Sequence, residues 1–102
     1  NFMFAVTDKD GALIAGLKGE IAFQTAHVAE LWVDEALRGQ GVGAQLLAKA
    51  DEHARAQGCT RIQIETRNPN ARRLYAAQGY KLFGEIPNFD GPHSLVYMIK
   101  DL

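Results

Sequence analysis

Apolar and polar positions follow two different periods along this chain. Phe2-Met3-Phe4-Ala5-Val6 is a short apolar run, stopped by the turn-rich Thr7-Asp8-Lys9-Asp10-Gly11. Ala12 to Phe23 follows, interrupted by Gly16 and Gly19, and the two runs predict a hairpin. Ala26 to Val33 predicts a third strand with an apolar end, then Asp34 to Arg38 a loop and Gly39-Gln40-Gly41-Val42-Gly43 a glycine-rich turn. From Val42 to about Gln57 the period becomes helical. Val42, Leu46, Leu47, Ala50 and Ala54 share one face, while Lys49, Asp51, Glu52, His53 and Arg55 lie mostly elsewhere. Gly58 is placed to end that helix. Thr60 to Thr66 alternates as a strand with one apolar face. Asn68-Pro69 reads as an N-cap and first helical position, and Ala71, Leu74, Tyr75 and Gln78 share a face of the helix that Gly79 closes. Tyr80 to Ile86 and Ser94 to Ile99 predict two last strands joined by a loop over Pro87–His93. The order β-β-β-α-β-α-β-β, with antiparallel hairpins around a β-α-β crossover, predicts an α+β (mixed α/β) three-layer domain.

Composition narrows the partners. With 102 residues the chain is the size of one domain, taken as residues 1–102. Eleven Lys and Arg against twelve Asp and Glu leave a formal net charge of −1, which argues against nucleic acid or an anionic membrane as partner. No apolar run approaches the roughly 18–20 residues that span a bilayer, and Phe2–Val6 is too short for a signal peptide's apolar region. The single cysteine, Cys59, has no internal partner for a disulfide, which fits a reducing, cytoplasmic setting. Its place just after a helix-ending glycine predicts burial.

The chemistry concentrates at Arg38-Gly39-Gln40-Gly41-Val42-Gly43. Alternating glycines immediately before a helix let backbone N–H groups approach a ligand, and the positive end of the helix dipole favours an anion there. A phosphate or pyrophosphate is the expected guest. Gly43 is followed by Ala44-Gln45, not Lys-Ser/Thr, which excludes a Walker A loop. Gly39-Gln40-Gly41-Val42-Gly43-Ala44 formally fits a dinucleotide fingerprint, with Glu65 about 20 residues on as a ribose-binding acid. Against that reading, five residues intervene between Val33 and the glycines, and the chain continues into antiparallel strands.

The same stretch resembles the R/Q-x-x-G-x-G/A signature of the GCN5-related N-acetyltransferases, the GNAT superfamily. Asn68-Pro69-Asn70-Ala71-Arg72-Arg73-Leu74-Tyr75-Ala76-Ala77-Gln78-Gly79-Tyr80 independently resembles the family's N-x-x-A-x-x-L-Y-x-x-x-G-F/Y helix. The two motifs stand in the family's order, separated by a helix and a strand, and the likeness runs through essentially the whole chain. The resemblance implies acetyl transfer from acetyl-CoA to a primary amine of a small molecule or peptide, by direct attack and without a metal. A catalytically silent CoA-binding module is the alternative from another class.

The resemblance also distributes roles. The backbone of Arg38, Gly39, Gln40, Gly41, Val42, Gly43 and Ala44 would hold the CoA pyrophosphate. Leu31, Trp32 and Val33 would splay from the next strand and pair with the pantetheine amides. Tyr75 would protonate or hydrogen-bond the departing thiolate. Asn68 would approach the pantetheine or acetyl group, or serve as a plain N-cap. Arg72 and Arg73 are either solvated or near the CoA 3′-phosphate. For the general base, simple alternation puts Glu30 with Trp32 and His27 with Leu31 and Val33, on opposite faces, and Glu30 is preferred. His53 reads as helix surface and His93 as an exposed loop residue. The likeness begins at the family's second strand, so the domain is expected to be short at its N-terminus. Its apolar edge Phe2-Met3-Phe4 suggests a homodimer.

Overall fold

The structure, a computed structural model, describes residues 1–102. Strands β1 (Phe2–Thr7), β2 (Leu13–Ala22) and β3 (Thr25–Val33) form an antiparallel meander. Helix α1 (Val42–Ala56) crosses to β4 (Arg61–Thr66), and α2 (Pro69–Ala77) leads to β5 (Lys81–Asp90). Strand β6 (His93–Asp101) returns between β4 and β5, giving one six-stranded sheet of order β1-β2-β3-β4-β6-β5. Only the β3–β4 pair is parallel. The class and element order are those the sequence predicts. The last hairpin is longer than expected: β5 runs through Pro87 to Asp90, and a tight Gly91-Pro92 turn replaces the loop. Pro87 has no N–H to give a ladder, and the register shifts between Ile86 and Asp90 to accommodate it.

Both helices end by the same device. Gly58 N–H bonds the Arg55 carbonyl and Cys59 N–H that of Ala54; Gly79 N–H bonds Ala76 and Tyr80 N–H bonds Tyr75. These are paired Schellman closures. In α2 the Tyr75 and Tyr80 rings, 6.0 Å apart, supply the apolar contact that accompanies such a closure. The glycine that stops α2 therefore also fixes the tyrosine of interest. Cys59 is buried, as expected.

The core lies between the sheet and α1, with Leu17, Val28, Leu47 and Ile62 its largest fully buried side chains. Helix α2 packs on the same face: a Cβ built on Gly43 of α1 would sit 3.1 Å from Leu74 Cδ2 of α2 and 3.9 Å from Val33. Two right-handed crossovers stepping in one direction across a sheet must both run over the same side. The layering expectation is corrected accordingly: the chain builds two layers, not three. The opposite face of the sheet, carrying Lys18, Glu20, His27, Glu30 and Trp32, has no helix over it.

Two surface expectations also change. His53 packs against the Phe2 and Phe4 rings, with centroids 4.8 and 5.9 Å away, so these aromatics turn inward and only Met3 of that edge is exposed. Asp51, expected on the polar side of α1, is half-buried in an ion pair with Lys100 of β6. No helix is long and apolar enough to cross a membrane.

Candidate functional site

The two central strands part company midway. Their parallel pairing covers only Thr25↔Arg61 to Val28↔Ile64. Beyond it β3 follows β2 instead, and the register moves from Gly19↔Val28 to Lys18↔Glu30, leaving Ala29 as an extra residue. A bulge bends its strand and increases local twist. Strands β3 and β4 consequently diverge into a fork, and the β4-facing backbone groups of Leu31 and Val33 are left without a strand partner. Two cavities meet there. One, about 540 Å³, lies on the helix side between the starts of α1 and α2; the other, about 470 Å³, runs through the fork. Leu31, Trp32 and Tyr75 line both.

The glycine-rich turn forms one wall of the helix-side cavity. Gly39 and Gly41 both have φ of +80°, the left-handed region that a Cβ disfavours. Gly41 is the N-cap of α1 and carries no side chain to cap it, so the first-turn N–H groups of the helix remain free for a ligand. Arg38 Nε donates to the Val33 carbonyl at 3.2 Å, which ties the cationic rim to the end of β3. Gln40 departs from the expected grouping: its side chain turns back to donate to Ala36 O at 3.3 Å, and it is absent from the cavity wall. Asn68 lines the cavity and is also an N-cap, its Oδ1 accepting from Asn70 N–H at 2.8 Å. Of the two arginines, Arg73 donates to Asn70 and neither lines this cavity.

Residues 1–80 match the acetyltransferase (GNAT) family. The chain belongs to that family. It is 36% identical over 95 residues to an acetyltransferase of Agrobacterium fabrum, covering 93% of this chain and 69% of the relative. It is 38% identical over 93 residues to the blasticidin-S acetyltransferase of Streptomyces morookaense, covering 90% and 68% respectively. Among solved structures, an acetyltransferase from Agrobacterium tumefaciens superimposes with a TM-score of 0.95 at 34% identity, over 99% of this chain and 74% of that one.

In this GNAT chain the fork gathers the ionisable candidates. Tyr75 is 5% exposed, and burial, with the Glu65 carboxylate adding to it, pushes its phenol up to about 12. Glu30 lines the fork cavity with a side chain 61% exposed, 3.9 Å from Lys18 Nζ. The expectation that His27 and Glu30 point to opposite faces is corrected. The Ala29 bulge resets the alternation, so His27, Glu30 and Trp32 stand opposite Glu20, Lys18 and Gly16 on one face. His27 is moreover engaged at both ring nitrogens, by Glu20 and by Glu65. Glu65 is the residue sequence reasoning missed: it entered only as a ribose acid in the disfavoured dinucleotide reading, yet it lines the fork cavity. Its signal was a carboxylate at the end of an alternating strand just before the Asn68 motif. His93 is exposed on the last hairpin and borders neither cavity.

Trp32 owes its position to Gly16. A Cβ at Gly16 would fall 2.3 Å from the indole Cη2, so only glycine lets the ring lie flat across β2. Trp32 is the sole tryptophan, and intrinsic emission reports on it alone. Gly16→Ala is expected to displace the ring and shift its emission while leaving far-ultraviolet circular dichroism unchanged. Identical emission spectra would show that the ring does not rest on Gly16.

Proposed function

We propose that this chain transfers the acetyl group of acetyl-CoA directly to a primary amine of a small molecule or peptide, within a ternary complex. The fork carries this reading: two cavities on opposite sides of one gap, meeting at Leu31, Trp32 and Tyr75. In the proposal acetyl-CoA occupies the helix side. Its pyrophosphate lies on the first-turn N–H groups of α1 and the backbone of Arg38–Ala44, with the Arg38 guanidinium at the rim. Its pantetheine amides pair with the free edge of Leu31–Val33, as an added strand would. Asn68 caps α2 beside the pantetheine path.

The amine enters from the fork side, where Glu30 and Glu65 supply negative charge for an ammonium group. Glu30 has no hydrogen-bond partner within the chain beyond the long approach to Lys18, and in the proposal it removes the amine's proton. The nitrogen then attacks the thioester carbonyl, whose oxygen is polarised by a backbone N–H of β3. As the tetrahedral centre collapses, the carbon–sulfur bond breaks, the thiolate departs toward the Tyr75 hydroxyl, and the second proton of the nitrogen passes to solvent. Holding both reactants across one gap supplies the proximity on which direct transfer depends.

The test is thiol release from acetyl-CoA, with mass spectrometry of the amine, over spermidine, blasticidin S, 2-aminoethylphosphonate and an alanine-initiated peptide. Amine-dependent thiol release with acetylation of at least one of them is expected. Tight acetyl-CoA binding without release for any would overturn catalysis in favour of a CoA-binding module. Stabilisation by NAD but not by acetyl-CoA would restore the dinucleotide reading.

A further inference from the structure

His27 sits where the central strands separate. It stands opposite Gln63, one position before the β3–β4 pairing ends at Val28↔Ile64. Its Nδ1 lies 2.9 Å from Glu20 Oε1 on β2, and its Nε2 lies 2.9 and 3.0 Å from the two carboxylate oxygens of Glu65 on β4. Ionised carboxylates only accept, so a ring satisfying both must donate from both nitrogens, as imidazolium. Burial opposes that charge, but the hydrogen bonds and charges of Glu20 and Glu65 outweigh it and raise His27 above the ordinary histidine value of 6.5. Glu65 is the first β4 residue past the paired stretch and lines the fork cavity beside Tyr75, whereas Glu20 lines neither cavity. A relay of three side chains thus starts at the sheet surface and ends in the fork.

We propose that His27 is a positioning residue for acetyl transfer: backed by Glu20, it holds the Glu65 carboxylate across the fork, where Glu65 receives the acceptor's ammonium group. The inference rests on the acetyltransferase reading above. A carboxylate held at two oxygens by one N–H keeps a fixed plane, and a charge-assisted hydrogen bond from the ammonium then takes a fixed direction. Neutral imidazole has a single N–H. Once the ring loses its proton, one of the two carboxylates faces a lone pair and is released.

The other ionisable groups on this face are Lys18 on β2, Glu30 on β3, Arg61 on β4, Tyr97 and Asp101 on β6 and Lys81 on β5. Lys18 and Glu30 are mutually paired at 3.9 Å and well exposed, which leaves them little influence on the ring. The sign follows from the raised value. The hold is complete below about pH 6.5 and is lost as pH climbs through the higher value of the folded protein. Tyr75, pushed up to about 12, stays protonated throughout that range and is not the source of such a loss.

The experiment follows acceptor kcat/KM against pH for the intact chain, Glu20→Gln and His27→Gln, using whichever of the four amines turns over fastest. The His27 ring is titrated by NMR alongside. Glu20 is half-exposed and outside both cavities, so Glu20→Gln is expected to keep the fold. It should lower the His27 midpoint and move the alkaline fall of acceptor kcat/KM down by the same amount, with acetyl-CoA KM unchanged. His27→Gln should remove that fall and reduce acceptor kcat/KM near neutral pH by about 10–100-fold, the scale of a misplacement near 1 Å. A His27 midpoint that moves while the rate profile stays put overturns the positioning role and leaves acetyl transfer standing. Equal losses in acceptor and acetyl-CoA KM overturn it too, as a general structural effect. Failure of the parent chain to acetylate any of the four amines would remove the acetyltransferase reading, and this inference with it.

Discussion

Gly41→Asp is expected to cost at least about 100-fold in acetyl-CoA affinity while leaving the fold almost as stable as before. The stability expectation has two opposing parts. Gly41 has φ of +80°, which an L-residue adopts at a cost near 1 kcal/mol, with aspartate among the more tolerant. No atom lies within 4 Å of the added Cβ, so there is no clash. A carboxylate at the start of α1 is itself favoured by the helix dipole, by about 0.3–1 kcal/mol. Those terms nearly cancel. In the proposed site, however, the same carboxylate stands where the pyrophosphate charge would rest. Two like charges about 4 Å apart near a protein surface repel by roughly 4 kcal/mol, well beyond the ~2.8 kcal/mol that a 100-fold loss requires. Gly41→Asn separates strain from charge, because it imposes the same backbone cost without the repulsion. Calorimetric titration with acetyl-CoA and urea unfolding read the two quantities. An aspartate variant that binds within a few-fold of the parent would place the pyrophosphate elsewhere.

Tyr75→Phe is expected to lower kcat by about 10–100-fold with acetyl-CoA affinity unchanged. The magnitude follows from what this phenol can do. Its value is pushed up to about 12 by burial and by Glu65, while an ordinary thiol ionises near ~8.5. Complete proton transfer from the phenol to the thiolate would therefore run uphill by some 3–4 units, about 5 kcal/mol. In the proposed reaction Tyr75 acts instead as a hydrogen-bond donor that stays protonated and stabilises the developing negative sulfur. A hydrogen bond to a charged group contributes about 1.5–3 kcal/mol, which gives the stated range. Because that charge exists only as the bond breaks, the loss falls on kcat. Phenylalanine keeps the ring contact with Tyr80 that closes α2, so unfolding should shift little. An unchanged kcat at saturating substrates would remove Tyr75 from the chemistry.

The glycine turn and the Asn68–Tyr80 helix were legible because each is a local device. Left-handed glycines before a helix, an asparagine cap with a following proline, and a glycine closure all leave residue types at fixed spacing. The α1 face was legible for the same reason, with Leu46, Leu47, Ala50 and Ala54 buried as their period requires. The errors share an opposite cause. Assigning His27 and Glu30 to faces needed the Ala29 bulge, which depends on pairing with Lys18 and Gly19 eleven or so positions earlier and leaves no mark in the alternation. Glu65 acquires its place only because β3 and β4 diverge after Val28, a property of two strands together. Asp51 looked solvated on its own helix; its partner Lys100 comes from the last strand. The two-layer arrangement likewise follows from the direction of both crossovers, which element order alone does not specify.

Backbone hydrogen exchange with and without acetyl-CoA tests the central claim most directly, since it reads where the cofactor lies without needing the acceptor. Acetyl-CoA is expected to slow exchange at two separate stretches together, the first-turn amides of Val42–Ala44 and the free-edge amides of Leu31 and Val33, with NAD having no such effect. Protection confined to other parts of the chain, or none at saturating acetyl-CoA, would contradict a cofactor seated on the helix side of the fork.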